Sequence, residues 1–296
     1  MGNFLFGPFA DNEFLRQSLY AGILVSAICA VAGTFVVLRG LAFAGDALAH
    51  GVVPGVAAAL LFGFSGVLGA AIGAGVMMSG VSVVTRRYRL SGDTAIGLLF
   101  VGMLALGVII QSRSSSFAGD LTNILFGEVL GVSNSDLVWQ FIALVAVCAV
   151  AWFCRRPFLL LSVDDGLTET SGFSVKKYHN IMLAMVALTV VASFQTVGTL
   201  LVLGLLIAPA ATGALFARRI GIMMVVAAVV GIFSTYVGLL VSYHANVAAG
   251  ASIVFCSVLV FTACAVVVEV QRWQAHRKDI HHDHDQPHVH GHVHVS

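Results

Sequence analysis

The chain has 296 residues, 59% of them hydrophobic and only 10% charged, with a mean hydropathy of +0.98. A soluble domain carries about 25% charged residues, so a water-facing surface cannot be built from this stock and lipid must be the solvent for most of the chain. A net charge of +1 gives no electrostatic case for a nucleic-acid partner.

The first sixteen residues hold Asp11 and Glu13 and no basic region ahead of an apolar run. That is not the pattern of a cleaved signal peptide, and the first spanning helix is expected to act as the insertion signal. A spanning helix needs roughly 20 mostly apolar residues. Runs of that kind fall at Ser18–Leu38, Leu41–Phe64, Val67–Val84, Ala95–Gln111, Leu137–Cys154, Ile181–Phe194, Val197–Ala217, Ile220–Ser242 and Ala251–Val270. Ile181–Phe194 is short and Leu41–Phe64 holds two ionisable residues, so the expected class is an all-α polytopic membrane bundle of eight or nine spans. The five cysteines lie in or at the ends of apolar runs, form no CxxC pair and read as small buried apolar residues.

Lys and Arg mark the cytoplasmic side. They cluster at Arg86-Arg87-Arg89, at Arg155-Arg156 with Lys176-Lys177, at Arg218-Arg219 and at Arg272-Arg277-Lys278. Two spans lie in each interval between clusters, which puts all four clusters and the C-terminus in the cytoplasm. Three spans before Arg86 place the N-terminus outside. Gly69 and Gly73 form a GxxxG pair, which reads as close helix packing within the bundle or between subunits.

An ionisable residue inside a span is expensive and is a functional hypothesis by default. Asp46 and His50 lie in such a run, spaced i, i+4. A helix puts them on one face, about 6 Å apart along the axis. A carboxylate and an imidazole so placed can share a divalent ion, lock packing through a hydrogen bond, or relay a proton. Pro54 follows one turn later and can break the helix. Two ligands are too few for a tight zinc site, which takes about four, but a two-fold axis beside this helix would supply a second pair from another subunit.

The C-terminal region carries seven of the eleven histidines: His281, His282, His284, His288, His290, His292 and His294. Residues 1–275 form the expected transmembrane domain and 276–296 a disordered cytoplasmic tail, since a His-rich tract cannot build a core. Such tracts bind zinc, copper or nickel. The competing reading is an expression tag, against which the irregular spacing and interspersed aspartates argue. His244 and Glu128 stand in expected outer segments and Pro209 inside an apolar run, each with an ordinary structural reading beside a gating or kinking one. No GxxxxGK[ST] occurs: the lysines are Lys176, Lys177 and Lys278, and none follows a glycine. The chain shows no P-loop of its own.

The segment Val37-Leu-Arg-Gly-Leu-Ala-Phe-Ala-Gly-Asp-Ala-Leu-Ala-His50 resembles the hallmark of the membrane permeases of bacterial zinc, manganese and iron ATP-binding-cassette importers. Leu125–Ser133, Leu203–Thr212 and Gly238–Tyr243 are similar to further motifs of that family, in its order, and the likeness runs from about Ser18 to Val270. The resemblance implies a helical permease fold related to the vitamin B12 and siderophore permeases, in the bacterial inner membrane. It implies a second permease subunit, cytoplasmic ATP-binding subunits and an extracytoplasmic metal-binding protein. It implies that Asp46 and His50 are metal ligands of the pathway. Within a cytoplasmic helix at about 164–172, it implies that Asp165, Glu169 and Gly172 meet the ATPase. His244 departs from the family, which often has Tyr there, and the His-rich tail is not general in it.

The expected function is therefore the permease subunit of an ATP-driven divalent metal importer, with no resident cofactor and no enzymatic site. Zinc is the first choice of cargo, because imidazole suits it and the tail is His-rich; manganese and iron stay open. The alternatives are a proton-coupled secondary carrier using Asp46 and His50, a permease for a chelate such as a siderophore, and an intramembrane metalloenzyme. The last would need an HExxH-like motif within a span, and the sequence has none.

Overall fold

The structure is a computed structural model that describes residues 8–9, 12–88, 92–112, 131–217 and 219–283. The described residues form helices and short connections only. In chain order we label them α1 (Glu13–Leu38), α2 (Ala42–Phe62), α3 (Gly66–Tyr88), α4 (Gly92–Gln111), α5 (Asn134–Phe153), α6 (Arg155–Val163), α7 (Asp165–Thr170), α8 (Val175–Phe216), α9 (Ile220–Ala245) and α10 (Ala249–Asp283). Among the described residues seven segments are long and apolar enough to cross a bilayer, and Thr94–Ile110 and Leu200–Phe216 are shorter apolar stretches. Together they account for the nine runs seen in the sequence.

α1 is the central helix. Its core face, including Val25, Ile28, Cys29 and Phe35, is essentially inaccessible to solvent. Small and hydroxyl residues seat its neighbours: Ser26 Oγ lies 3.1 Å from Thr235 Oγ1 of α9. Gly33 faces the Leu206 carbonyl of α8 so closely that a Cβ would collide with it. α2 and α3 approach in the same way. A Cβ at Gly51 would stand 2.8 Å from Met77 Cβ, and one at Gly55 would strike the Gly69 backbone. The GxxxG pair of α3 thus packs within this chain, against α2. By contrast, Leu98, Val101, Ile109, Phe141 and Val225 point outward, as a lipid-facing surface requires.

α8 runs helically for 42 residues, interrupted only at Gly198 (φ 73°, ψ 162°). A straight helix of that length would be about 63 Å long, twice the hydrocarbon thickness. Instead both ends lie on one side. Val175 and His179 share a cavity with Arg39 at the end of α1, while Ala217 and Val37, also at that end, pack on one cluster of Ala30, Ala210, Met223 and Ala227. The chain reverses at Gly198 with no loop. Beside the reversal the fully buried Gln140 of α5 donates from Nε2 to Thr196 Oγ1.

The segment between Arg155 and Asn180, where the resemblance implies one helix at about 164–172, is largely helical throughout. Asp164 caps α7 by accepting from the Leu167 N–H at 3.0 Å, and Ser174 caps α8 by accepting from Lys177 N–H at 3.4 Å. α8 therefore starts at Val175, six residues before the apolar run. α10 continues past the apolar run to Asp283, so His281 and His282 lie on it. His284, His288, His290, His292, His294 and Glu128 lie outside the described residues.

Candidate functional site

Asp46 and His50 sit in the first half of α2, about 6 and 12 Å of helix rise from Ala42. The apolar composition of this stretch (Ala, Gly, Leu, Val) keeps the helix thin and lets α3 and α4 close on it. His50 Nε2 lies 3.4 Å from Asp46 Oδ1, with the two side chains 23% and 31% exposed. The ring of His50 is held edge-on to Phe100 of α4, centroids 5.1 Å apart. Its Nδ1 is buried and no described residue hydrogen-bonds to it. Pro54 lies inside α2 and, lacking an N–H, cannot take the His50 carbonyl as its helical partner.

The surroundings decide what this pair can do. Ala44, Gly45, Ala47, Leu48 and Ala49 are buried, while Phe43 is 71% exposed. Phe43, Asp46 and His50 thus form a stripe along α2 that this chain's own helices leave open. Among the described residues no group of three or more His, Cys, Asp or Glu could hold a metal ion. One chain offers one carboxylate and one imidazole on an open face.

The sequence-predicted coupling residues come together beside the C-terminal end of α1. Asp165 is the first residue of α7, and Glu169 lies one turn on. Gly172 ends that helix with φ +84°, its N–H bonding to Glu169 O at 3.0 Å and that of Phe173 to Thr168 O at 3.1 Å. This left-handed cap needs a glycine. α7 is exposed at Leu167 and Glu169, as a docking surface would be. His244 closes α9, with Nδ1 2.9 Å from the Leu240 carbonyl and its ring edge-on to Tyr243.

Sequence reasoning passed over Arg39. Its guanidinium donates to Asp165 Oδ1 at 2.6 Å and to the Leu161 carbonyl. Arg39 appeared only as part of a motif, and nothing local announces partners so distant in sequence.

Comparison with known proteins bears on this arrangement. The model of the ABC 3 transport family matches residues 11–268. The chain belongs to the ABC 3 transport family. It is 38% identical over 259 residues to a manganese transport system membrane protein of Halalkalibacterium halodurans, covering 87% of this chain and 88% of that one. It is 35% identical to a probable iron transport system membrane protein of Haemophilus influenzae, covering 82% and 89%. A chain of PsaBC from Streptococcus pneumoniae, solved in complex with Fab, superposes with a TM-score of 0.81 at 31% identity, covering 89% of this chain and 95% of that one. A metal-chelate type ABC transporter in an inward-facing conformation shares the fold, with a TM-score of 0.70 at 17% identity and coverage of 86% and 85%.

This ABC 3 family chain is accordingly the permease subunit of an ABC importer of metals, a multi-pass protein of the bacterial inner membrane. It works with ATP-hydrolysing subunits, an extracytoplasmic binding protein and a second permease subunit.

Proposed function

We propose that this permease carries manganese or iron(II), and that Asp46 and His50 are its ligands in the pathway. The observation behind this reading is the i, i+4 pair on the open stripe of α2, with His50 Nε2 and Asp46 Oδ1 3.4 Å apart. A second subunit across a two-fold axis at this stripe completes a set of two carboxylates and two imidazoles. Such a mixed oxygen and nitrogen set suits manganese and iron(II), and water can fill the remaining positions. Zinc was the first choice from the sequence because of the tail. The relatives cited above are named for manganese or iron, which moves the preference toward those ions.

The chain supplies no ATPase site in this reading. Energy reaches it through the segment containing Asp165, Glu169 and Gly172, against which an ATPase subunit docks. The His-rich tail, His281 to His294, is a cytoplasmic metal buffer and lies outside the pathway. An Asp–His contact also suits a proton relay, and the test separates the two. Metal uptake is measured in vesicles holding the full complex, with an active or a hydrolysis-dead ATPase subunit. The expected result is uptake only with the active subunit, manganese competing better than zinc, and no uptake by the Asp46→Ala, His50→Ala double variant although it assembles normally. Full transport by that variant would sink the ligand assignment. Uptake driven by a proton gradient with the dead ATPase would replace the ATP-driven reading.

A further inference from the structure

We propose that Arg39 is a positioning residue that ties the ATPase-docking helix α7 to the metal-bearing helix α2. The proposal rests on the reading of α7 as the docking segment. Three features carry it.

The first is where the guanidinium sits. It bridges the junction of α6 and α7, donating from Nη1 to the Leu161 carbonyl and from Nη2 to Asp165 Oδ1 at 2.6 Å. Leu161 is in the last turn of α6, where carbonyls lack a helical partner and a cation is favoured. A second contact pins the same pair of helices: Phe35 of α1 and Phe158 of α6, both buried, meet edge-on with centroids 5.1 Å apart. α6 and the start of α7 are therefore attached to the end of α1.

The second is the elbow between α1 and α2. Arg39 is the C-cap of α1. Gly40 follows at φ +68°, with its N–H on Val37 O at 3.2 Å and the Leu41 N–H on Val36 O at 2.8 Å. That doubly bonded left-handed turn is stiff, and α2 starts at Ala42. Six residues separate Arg39 from Asp46, with no slack in between.

The third is room to move. A cavity of about 350 Å³ lies behind α2, lined by Ala44, Ala47 and Leu48 of that helix and by Met77, His179 and Leu183 opposite. At about 100° per residue Ala44 and Leu48 fall on the face roughly opposite Asp46 and His50, with Ala47 to one side. A pull on Arg39 can shift the start of α2 toward this space and withdraw the two ligands from the open stripe. The ion pair itself adds little static stability, because the Asp165 carboxylate is 57% exposed. Its consequence is mechanical.

The test uses the complete importer in proteoliposomes and reads metal uptake, basal ATP hydrolysis and hydrolysis stimulated by the binding protein. R39Q is expected to co-purify with the ATPase subunit and keep basal hydrolysis. Its stimulated hydrolysis and its metal moved per ATP should fall about tenfold, as for loss of one link through a charged hydrogen bond. R39K keeps the charge but not the two-pronged reach, and should recover part of both. R39Q combined with D165N should be no worse than the poorer single variant. Wild-type metal per ATP in R39Q overturns the proposal. If R39Q does not assemble, wild-type metal per ATP in R39K overturns it equally. A wild-type complex that hydrolyses ATP on binding-protein docking but moves no manganese, iron or zinc overturns the cargo reading alone, because stimulated hydrolysis still reports on Arg39. A wild-type complex without stimulated hydrolysis overturns the docking reading and the proposal together.

Discussion

An aspartate inside a span is tolerated only where it faces a partner or a water-filled space, and Asp46 meets that condition by lying on the open stripe with His50 beside it. The glycines behind the pair do as much to define the site. Gly51 and Gly55 bring the middle of α2 against Met77 and Gly69 of α3, so that part of the helix is held from the rear while its start borders the cavity. Gly55→Ala places a methyl against backbone that cannot yield. We expect a loss of about 1–3 kcal/mol from overpacking, seen as a lower melting temperature of the detergent-solubilised complex, with uptake falling in step. Asp46 and His50 were legible in the sequence because charge is scarce there and both lie in an apolar run. Arg39 was not. An arginine at the end of a span reads as an ordinary cytoplasmic marker, and its partners lie 122 and 126 residues further on.

The spans themselves were legible from hydropathy, and so was the pairing of crossings between basic clusters. The way the chain turns was less so. Ile181–Phe194 and Val197–Ala217 looked like two spans with almost nothing between them, and only packing of both ends beside α1 shows that Gly198 alone makes the reversal. At φ 73° and ψ 162° the backbone is in a region essentially closed to other residues. Gly198→Ala should therefore cost about 1–3 kcal/mol, measurable as reduced thermal stability. Substituting Gly97, which has open space around its α-carbon, should cost little in the same assay. The helical content of the 155–180 segment was hidden for another reason. α6 to the start of α8 are ended and begun by Asp164, Gly172 and Ser174, and such caps carry no hydrophobic period.

Across the whole molecule, the end of α1, α6, α7, both ends of α8 and the start of α9 gather on one side, with Arg155, Arg156, Lys176, Lys177 and Arg219. The positive-inside rule makes that side cytoplasmic. In the reading of the His-rich tail as a metal buffer, the tail takes no part in the pathway. Removing residues 281–296 should leave the initial rate of uptake unchanged and should lower the zinc retained by the purified permease. A drop in rate would give the tail a part in transport itself. The loop-free reversal at Gly198 also bears on biogenesis. Ile181 to Phe216 leaves the ribosome as one nearly unbroken apolar stretch whose two ends finish on the same side of the fold. A reversal with no loop suits entry of the two halves together, tip-first, as a hairpin. α5 is synthesised earlier, so the amide of Gln140 is already in the bilayer to receive Thr196 when that tip arrives.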